Sequence, residues 1–186
     1  MRYFNTSGPN IPAEHYTLPR LRLIEQGRKM VHNSRYFTIW APRQTGKSTY
    51  FRFLATALQA EGYKVAFVNF ENFRHQSQED FLIRFCNALE EQWVMSFDRT
   101  SLASVFEQIE DNKTKKAVLI IDEVEGINAA YFGDFLHSIR NVYHSRTNCM
   151  LKSVILVRVN NIVGVVQDKS SKKAGSQCFD FHLPSL

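Results

Sequence analysis

Residues 41–49 form a short segment that restricts the fold of this chain more than any other part of its sequence. The segment reads Ala-Pro-Arg-Gln-Thr-Gly-Lys-Ser-Thr, with an apolar run at 36–40 before it and a helix-forming stretch at 48–60 after it. A sharp turn from strand to helix directs backbone N–H groups and the positive end of the helix at one point. Because a polyphosphate suits such a point, the segment predicts a phosphate-binding P-loop, the Walker A motif.

The residue types of this loop suit phosphate binding. Gly46 lets the backbone approach a phosphate closely because it lacks a Cβ. Lys47 is expected to lie exposed at the loop, to reach the β- and γ-phosphates and to act in catalysis, and the Ser48 hydroxyl is expected to ligate Mg²⁺. Ala41 replaces the usual first glycine of the loop. The predicted nucleotide-binding residues are Pro42, Arg43, Gln44, Thr45, Gly46, Lys47, Ser48 and Thr49.

A second motif, with two adjacent carboxylates, follows far downstream. Residues 117–121 are all apolar, and Asp122 and Glu123 come directly after them. A central strand of a parallel sheet is apolar on both faces, and functional residues lie at its carboxyl end. We therefore expect Asp122 at the same edge as the P-loop, holding Mg²⁺ through water as a Walker B residue, with Glu123 orienting or deprotonating an attacking water. An acidic turn after a core strand would explain either carboxylate alone, but the two motifs in this order indicate a P-loop NTPase.

Composition and cysteine usage restrict the class of protein further. The 186 residues, 44% of them hydrophobic, are enough for one α/β core. No apolar stretch approaches the length of a membrane span, and the N-terminus lacks the apolar region of a signal peptide. The three widely spaced cysteines argue against a disulfide framework or zinc site and for a cytoplasmic location. We expect a single domain at 1–186, with an N-terminal arm and helix at 1–35 and the P-loop core at 36–186.

The net charge of +5 raises the question of an acidic partner. The basic residues are scattered, with dense runs only at 113–116 and 169–173. A nucleic-acid-binding face would concentrate them and place aromatic side chains among them. Nucleic acid is therefore a weakly supported partner, and part of the positive charge fits an ATP site.

Hydrophobic periodicity predicts alternating helices and strands. Helices are predicted at 21–32, 48–60, 77–97, 101–110 and 128–144, and strands at 36–40, 64–70, 117–123, 151–159 and 178–183. This alternation implies a three-layer α/β fold, in which a five-stranded, mainly parallel sheet has right-handed crossovers and helices on both faces.

The helix-rich segment at 71–112 allows the fourth strand to lie between the first and the third. In that order, the carboxyl end of the fourth strand lies beside the γ-phosphate. Arg158, Asn160 and Asn161 occupy this end and are candidates for sensing whether the phosphate is present. Arg140 and Arg146 precede the fourth strand, where an arginine can reach a neighbour's ATP, although ordinary surface arginines are the better interpretation.

These residues together resemble the prokaryotic AAA-like ATPase domain family, which is near the signal-transduction ATPases with numerous domains and more distantly similar to origin-recognition ATPases. The resemblance is carried by the lead segments 3–9 and 15–20, by 36–49, by 120–125 and by 153–156, and it runs to Asn161. Alanine at the first loop position is usual in that family. The resemblance implies an AAA/ASCE-type strand order and the binding of ATP and Mg²⁺.

The sequence departs from this family at its end. The family continues from the last strand into a helical lid, whereas this sequence ends at Leu186. The resemblance therefore implies a domain without the lid, and we expect either self-association or a partner chain that supplies the lid.

Three functions agree with these patterns. The first is an Mg²⁺-dependent ATPase that acts as a conformational or signalling switch. The second is an ATP-binding module with little or no hydrolysis, and the third is a P-loop kinase for a nucleoside or another small molecule. Because the Asp122–Glu123 pair suits water activation, we expect ATP hydrolysis, with Glu123 and Lys47 as the catalytic residues.

Overall fold

The computed structural model describes residues 3–4, 11, 13–40, 45–112, 116–146, 148–158 and 179–182. The predicted site residues Pro42, Arg43, Gln44, Asn160 and Asn161 lie outside these ranges. Helices and strands alternate along the chain in the order α1 Leu21–His32, β1 Phe37–Trp40, α2 Lys47–Ala60, β2 Lys64–Asn69, α3 Gln78–Trp93, α4 Leu102–Asp111, β3 Ala117–Asp122, α5 Ala129–Ser145, β4 Leu151–Arg158 and β5 Phe179–His182.

The five strands form one sheet in the order β2-β3-β4-β1-β5. Every neighbouring pair in it is parallel. The strand β4 therefore lies between β1 and β3, which confirms the predicted strand order. All six residues of β3 are buried, which explains its continuous apolar run, because a central parallel strand is covered on both faces. The predicted α/β fold class is confirmed.

Helices cover both faces of the sheet, and each face has its own hydrophobic core. Because side chains alternate along a strand, Val118 and Ile120 of β3 belong to the core beneath α1 and α2. Leu119 and Ile121 belong to the larger core beneath α3, α4 and α5. The three predicted layers are thus present, with the sheet between two layers of helices.

The helix α3 ends earlier than the sequence predicts. Its apolar stripe is confirmed as core, since its members have no exposed surface: Phe81, Phe85, Leu89 and Trp93. Val94 adopts a left-handed conformation (φ 54°) that ends the helix. The backbone N–H of Phe97 then donates to Glu90 Oε1 (2.9 Å), and Phe97 returns to the core without a continued helix. Within the described ranges, no helix combines the length and apolar character needed to cross a membrane.

The two edge strands are β2 and β5. The predicted last strand is confirmed as an edge strand parallel to β1. On β2, the side-chain amide of Gln92 takes the place of a neighbouring strand: its Oε1 accepts from the backbone N–H of Phe67 (2.8 Å), and its Nε2 donates to the Phe67 carbonyl (3.1 Å). An exposed edge invites pairing with another chain, so Gln92 closes this part of β2 to such pairing.

Candidate functional site

The residues predicted to carry chemistry meet at the carboxyl edge of the sheet. The strand β1 ends at Trp40, which pairs in register with Arg158 at the end of β4. The strand β3 ends at Asp122, one residue beyond the pair Ile121–Leu156. In open α/β sheets this edge is where ligands bind. The fold therefore brings the loop before α2, the Asp122 turn and Arg158 to one edge.

The described part of the loop has the geometry of an anion cradle. Gly46 has a left-handed backbone (φ 80°, ψ 21°), and among the described residues, its chain neighbours aside, no atom lies within 4 Å of the position that a Cβ would occupy there. Its carbonyl accepts the first hydrogen bond of α2, from the N–H of Tyr50 (2.9 Å). The first N–H groups of any α-helix have no carbonyl partner four residues earlier in the helix, which is why a helix N-terminus suits an anion. Thr45, Ser48 and Thr49 are partly buried beside them.

Lys47 differs from its prediction, because it is buried and not exposed. Its exposed fraction is 9%. The helix α2 packs against the sheet through Phe51 and Leu54, which have no exposed surface. Its first residue, Lys47, is therefore also held close to the ends of the strands. A buried ammonium needs a compensating negative charge. The Lys47 charge acts on the Asp122 carboxylate, whose pKa it lowers.

Asp122 is a buried carboxylate with an exposed fraction of 5%. Burial raises the pKa of Asp122, and the backbone N–H of Glu123 and the charge of Lys47 oppose that rise. The Glu123 N–H donates to Asp122 Oδ1 at 3.0 Å. This hydrogen bond and the Lys47 charge both favour the ionised form, which is the form that can bind a cation.

Glu123 is partly exposed and has a strained backbone. Its φ of 50° and ψ of 48° lie in the left-handed region. That region costs about 1–2 kcal/mol for a residue with a Cβ. The chain thus turns away from the direction of β3 at Glu123, and the side chains of Glu123 and Asp122 are oriented differently. Strain of this kind is concentrated at functional sites, where the surrounding structure maintains it.

The glycine that maintains this turn was not predicted from the sequence. A single turn of 3-10 helix, Val124–Gly126, follows Glu123, and the N–H of Gly126 donates to the Glu123 carbonyl (2.7 Å). A Cβ on Gly126 would lie 2.0 Å from the carbonyl oxygen of Phe70. Phe70 also donates its N–H to the Asp122 carbonyl (2.9 Å). Only glycine therefore fits at this position. The sequence signal that could have indicated it is a glycine shortly after the carboxylate pair.

Arg158 is the one sensor candidate within the described ranges, and it is deeply buried. Its exposed fraction is 4%. Its Nε lies 3.6 Å from Glu125 Oε2, in an ion pair that spans the ends of β3 and β4. Among the described residues, no hydrogen-bond acceptor reaches its Nε or Nη1. In the sequence Glu125 is a further carboxylate two residues after Glu123, and the strand order places it opposite Arg158.

Arg146 does not lie near this chain's own site. It follows the last residue of α5 and precedes β4, so that it lies at the amino ends of the strands, on the side of the sheet opposite the P-loop. Its guanidinium lies 3.8 Å from the centroid of the Tyr143 ring, and its Nη1 donates to the Tyr143 carbonyl (2.8 Å). These contacts give Arg146 a structural role at the end of the helix.

The carboxyl edge fits an Mg²⁺-bound polyphosphate. Two buried cations, Lys47 and Arg158, lie there with the N-terminus of α2, and all three attract anionic oxygens. Within the described ranges, no three His, Cys, Asp or Glu side chains are grouped to hold a metal by themselves. Mg²⁺ usually takes only one or two protein ligands and completes its shell with phosphate and water. Ser48 and Asp122 provide a donor set of that kind.

Comparisons with known proteins agree with this geometry. Residues 31–165 match a family model described as an AAA domain. A solved structure of Drosophila ORC bound to poly(dA/dT) DNA and Cdc6 is similar with a TM-score of 0.54 and 16% identity, over 76% of this chain and 24% of that one. The chain thus spans about a quarter of the ORC chain that it matches. At this identity the likeness concerns the fold alone.

Two further solved structures are more distant. C. elegans PCH-2 gives a TM-score of 0.41 at 19% identity, over 78% of this chain and 36% of that chain. A DnaB-like replicative helicase, in a structure that concerns its interactions with primase, gives 0.40 at 10% identity, over 86% of this chain and 54% of that chain. The likeness in fold therefore rests on the ORC structure. No curated protein matches the sequence.

Proposed function

The chain belongs to the AAA domain family whose model matches residues 31–165, and from this premise we propose that it is an Mg²⁺-dependent ATPase that acts as a conformational or signalling switch. One observation carries the proposal: Lys47 and Asp122, from two separate motifs, are both buried at one sheet edge and interact electrostatically. Burial of a lysine and of a carboxylate is costly for each group, so their occurrence together at one edge favours a functional role. An acidic turn after a core strand does not require a buried lysine opposite it.

In this proposal, the N-terminus of α2 and Lys47 hold the phosphates of ATP. Gly46 keeps the backbone close to them, and the buried ammonium acts at a short distance in a medium of low dielectric constant. Ser48 and Asp122 hold Mg²⁺, which neutralises the charge on the phosphate oxygens when it is bound. Residues 42–44 complete the predicted loop in the sequence.

Glu123 is the proposed residue for water activation. Its partly exposed position beside the buried Asp122 leaves it open to a water molecule at the same edge. It would orient that water and accept a proton from it. Arg158, at the end of the strand between β1 and β3, is the proposed sensor of the γ-phosphate, with Asn160 and Asn161 as further candidates from the sequence.

Location and partners follow from the same reasoning. Cys86 and Cys149 are buried and free of disulfides. This fits a reducing compartment, and we place the protein in the cytoplasm. A switch needs a chain that reads its state, so we propose that a second copy or a partner protein contacts the nucleotide-bound form. Nucleic acid is a weaker candidate, since its only support is a scattered positive charge.

Nucleotide binding and phosphate release together test this function. Wild type and Lys47→Ala are titrated with fluorescent ATP in the presence of Mg²⁺, and phosphate release is followed on the same samples. Binding and release by wild type, both strongly reduced in Lys47→Ala, support the ATPase. Binding with negligible release supports an ATP-holding module, and transfer of phosphate to an added nucleoside supports a kinase. The absence of binding by folded wild type overturns the assignment.

A further inference from the structure

The ion pair between Glu125 and Arg158 lies within the proposed nucleotide site and has no part in the hydrolysis described above. We propose that Glu125 competes with the terminal phosphate of the nucleotide for Arg158, and thereby sets how strongly the site prefers ATP over ADP. This inference rests on the proposed nucleotide binding, and it assigns a specificity-determining role to Glu125.

The position of Arg158 puts it within the region of the terminal phosphate. It is the last residue of β4, in register with Trp40 at the end of the P-loop strand. On its other side, β4 pairs with β3, which ends at Asp122. Arg158 therefore ends the strand that lies between the loop proposed to hold the phosphates and the carboxylate proposed to hold Mg²⁺. ADP lacks the phosphate that would extend into this space.

The contact between Glu125 and Arg158 is loose enough to be replaced. Its 3.6 Å separation exceeds the 2.7–3.2 Å of a hydrogen bond, so the two groups attract each other mainly by charge. A guanidinium has five N–H donors. Two of the Arg158 nitrogens, Nε and Nη1, are buried and find no acceptor among the described residues. A phosphate oxygen could accept a charge-assisted hydrogen bond from either of these N–H groups, and such a bond is stronger than a separated ion pair.

Breaking the ion pair has a different energetic cost for Arg158 than for Glu125. Arg158 is 4% exposed, so that without an anion its charge would be left buried and uncompensated. The Glu125 side chain is 27% exposed and can be hydrated when it is released. Gly126, closely packed against Phe70, holds the turn that bears Glu125 in place. A phosphate can therefore replace Glu125 beside Arg158 without movement of β4. Because the attraction between Glu125 and Arg158 is lost in this exchange, it lowers the affinity for ATP.

Binding constants for two nucleotides test this competition. The Kd values of ADP and of a non-hydrolysable ATP analogue, both with Mg²⁺, are measured for the full chain by calorimetry. In Glu125→Gln the ratio of the ADP Kd to the analogue Kd should rise about fivefold or more, the usual lower limit for coupling between sites. In Arg158→Gln the ratio should fall below that of wild type. Glu71→Gln, which removes an exposed carboxylate beside the same turn, is the matched control and should leave the ratio unchanged.

Thermal unfolding gives a second readout that does not need activity. Without nucleotide, Glu125→Gln should unfold at a lower temperature than wild type, because it leaves Arg158 without its carboxylate. The ATP analogue should then raise the unfolding temperature of Glu125→Gln more than that of wild type. If Glu125→Gln does not fold, Glu125→Asp, which keeps the charge but sets it back by one methylene, should raise the ratio to a smaller extent.

The outcomes separate this inference from the proposed function. Equal ratios in wild type and Glu125→Gln, with both nucleotides bound, overturn the competition and leave the nucleotide site intact. An equal rise in Glu71→Gln would mean that general charge, and not the contact with Arg158, controls the preference. Failure of folded wild type to bind either nucleotide refutes the proposed function itself.

Discussion

Replacement of Gly126 by alanine should damage both the stability of the protein and the geometry of its carboxylate turn. The added Cβ would lie 2.0 Å from the Phe70 carbonyl oxygen and 2.6 Å from the carbonyl carbon. Ordinary contact begins at 3.4 Å, and both neighbours are backbone atoms, so no side-chain rotation can relieve the clash. Either the turn that follows Asp122 or the end of β2 has to move.

The expected loss of stability can be worked from this clash. An overpacked core methyl costs typically about 1–3 kcal/mol, and a clash with backbone belongs at the upper end of that range. For a domain of this size, each kcal/mol lowers the unfolding temperature by about 2–4 °C. We therefore expect Gly126→Ala to unfold roughly 6–12 °C below wild type by differential scanning calorimetry.

The same substitution should affect hydrolysis more than binding. The Gly126 N–H bonds the Glu123 carbonyl, so a displaced turn carries Glu123 with it, whereas the P-loop cradle belongs to another element. A misplacement of about 1 Å can cost 10²-fold in rate. Phosphate release should therefore fall by about that factor, with a smaller change in the Kd for ATP.

Gly133→Ala is the matched control for this experiment. Gly133 lies on α5, and outside the adjacent backbone of that helix no atom of the described residues lies within 4 Å of where its Cβ would be. Alanine in a helix is about 1 kcal/mol more favourable than glycine, so this variant should be slightly more stable than wild type and equally active. Wild-type stability and hydrolysis in Gly126→Ala would refute the reasoning, because they would show that the turn and the end of β2 are free to separate.

Three further substitutions test other parts of the structure. Lys47→Ala should weaken ATP binding by about 10- to 100-fold, since a charge-assisted hydrogen bond is worth about 1.5–3 kcal/mol; unchanged affinity in a fluorescent-ATP titration would end the P-loop assignment. Glu123→Gln should keep ATP bound and slow phosphate release by about 10²-fold or more; equal release would exclude Glu123 as the base. Although burial opposes it, hydrogen bonds from His32 and Arg28 lower the pKa of Glu61. A carboxylate whose pKa is lower in the folded state stabilises the protein at pH values above its unfolded-state pKa. This stabilisation is lost as the pH falls through the folded-state pKa. The unfolding midpoints of wild type and Glu61→Gln should therefore differ at neutral pH and converge in acid.

The sequence was informative wherever the physical cause was local. The periodicity of the apolar residues located each α-helix and strand of the described ranges, and α1 begins and ends at its predicted residues, 21 and 32. A repeat of 3.6 or 2 residues is set by the immediate neighbours along the chain. The early end of α3 was missed, because the left-handed Val94 is stabilised by contacts that bring Phe97 back to the core, and no residue pattern indicates them.

The candidate site shows the same division. The residue types of the loop, Gly46, Lys47 and Ser48, and of the carboxylate pair were readable in the sequence, because phosphate and Mg²⁺ chemistry need those groups in that order. The roles assigned to them stay predictions until binding is measured. The left-handed backbone at Gly46 agrees with the reason for which a glycine was expected there.

Only the tertiary structure decided which of these groups lie deep and which lie opposite each other. Lys47 was expected at the surface and is buried, because the depth of the first residue of α2 depends on how the whole helix lies on the sheet. The pairing of Glu125 with Arg158 requires β4 to lie directly beside β3. Local patterns set the elements, whereas burial and pairing between distant residues depend on strand order and layer packing, which the whole chain determines together.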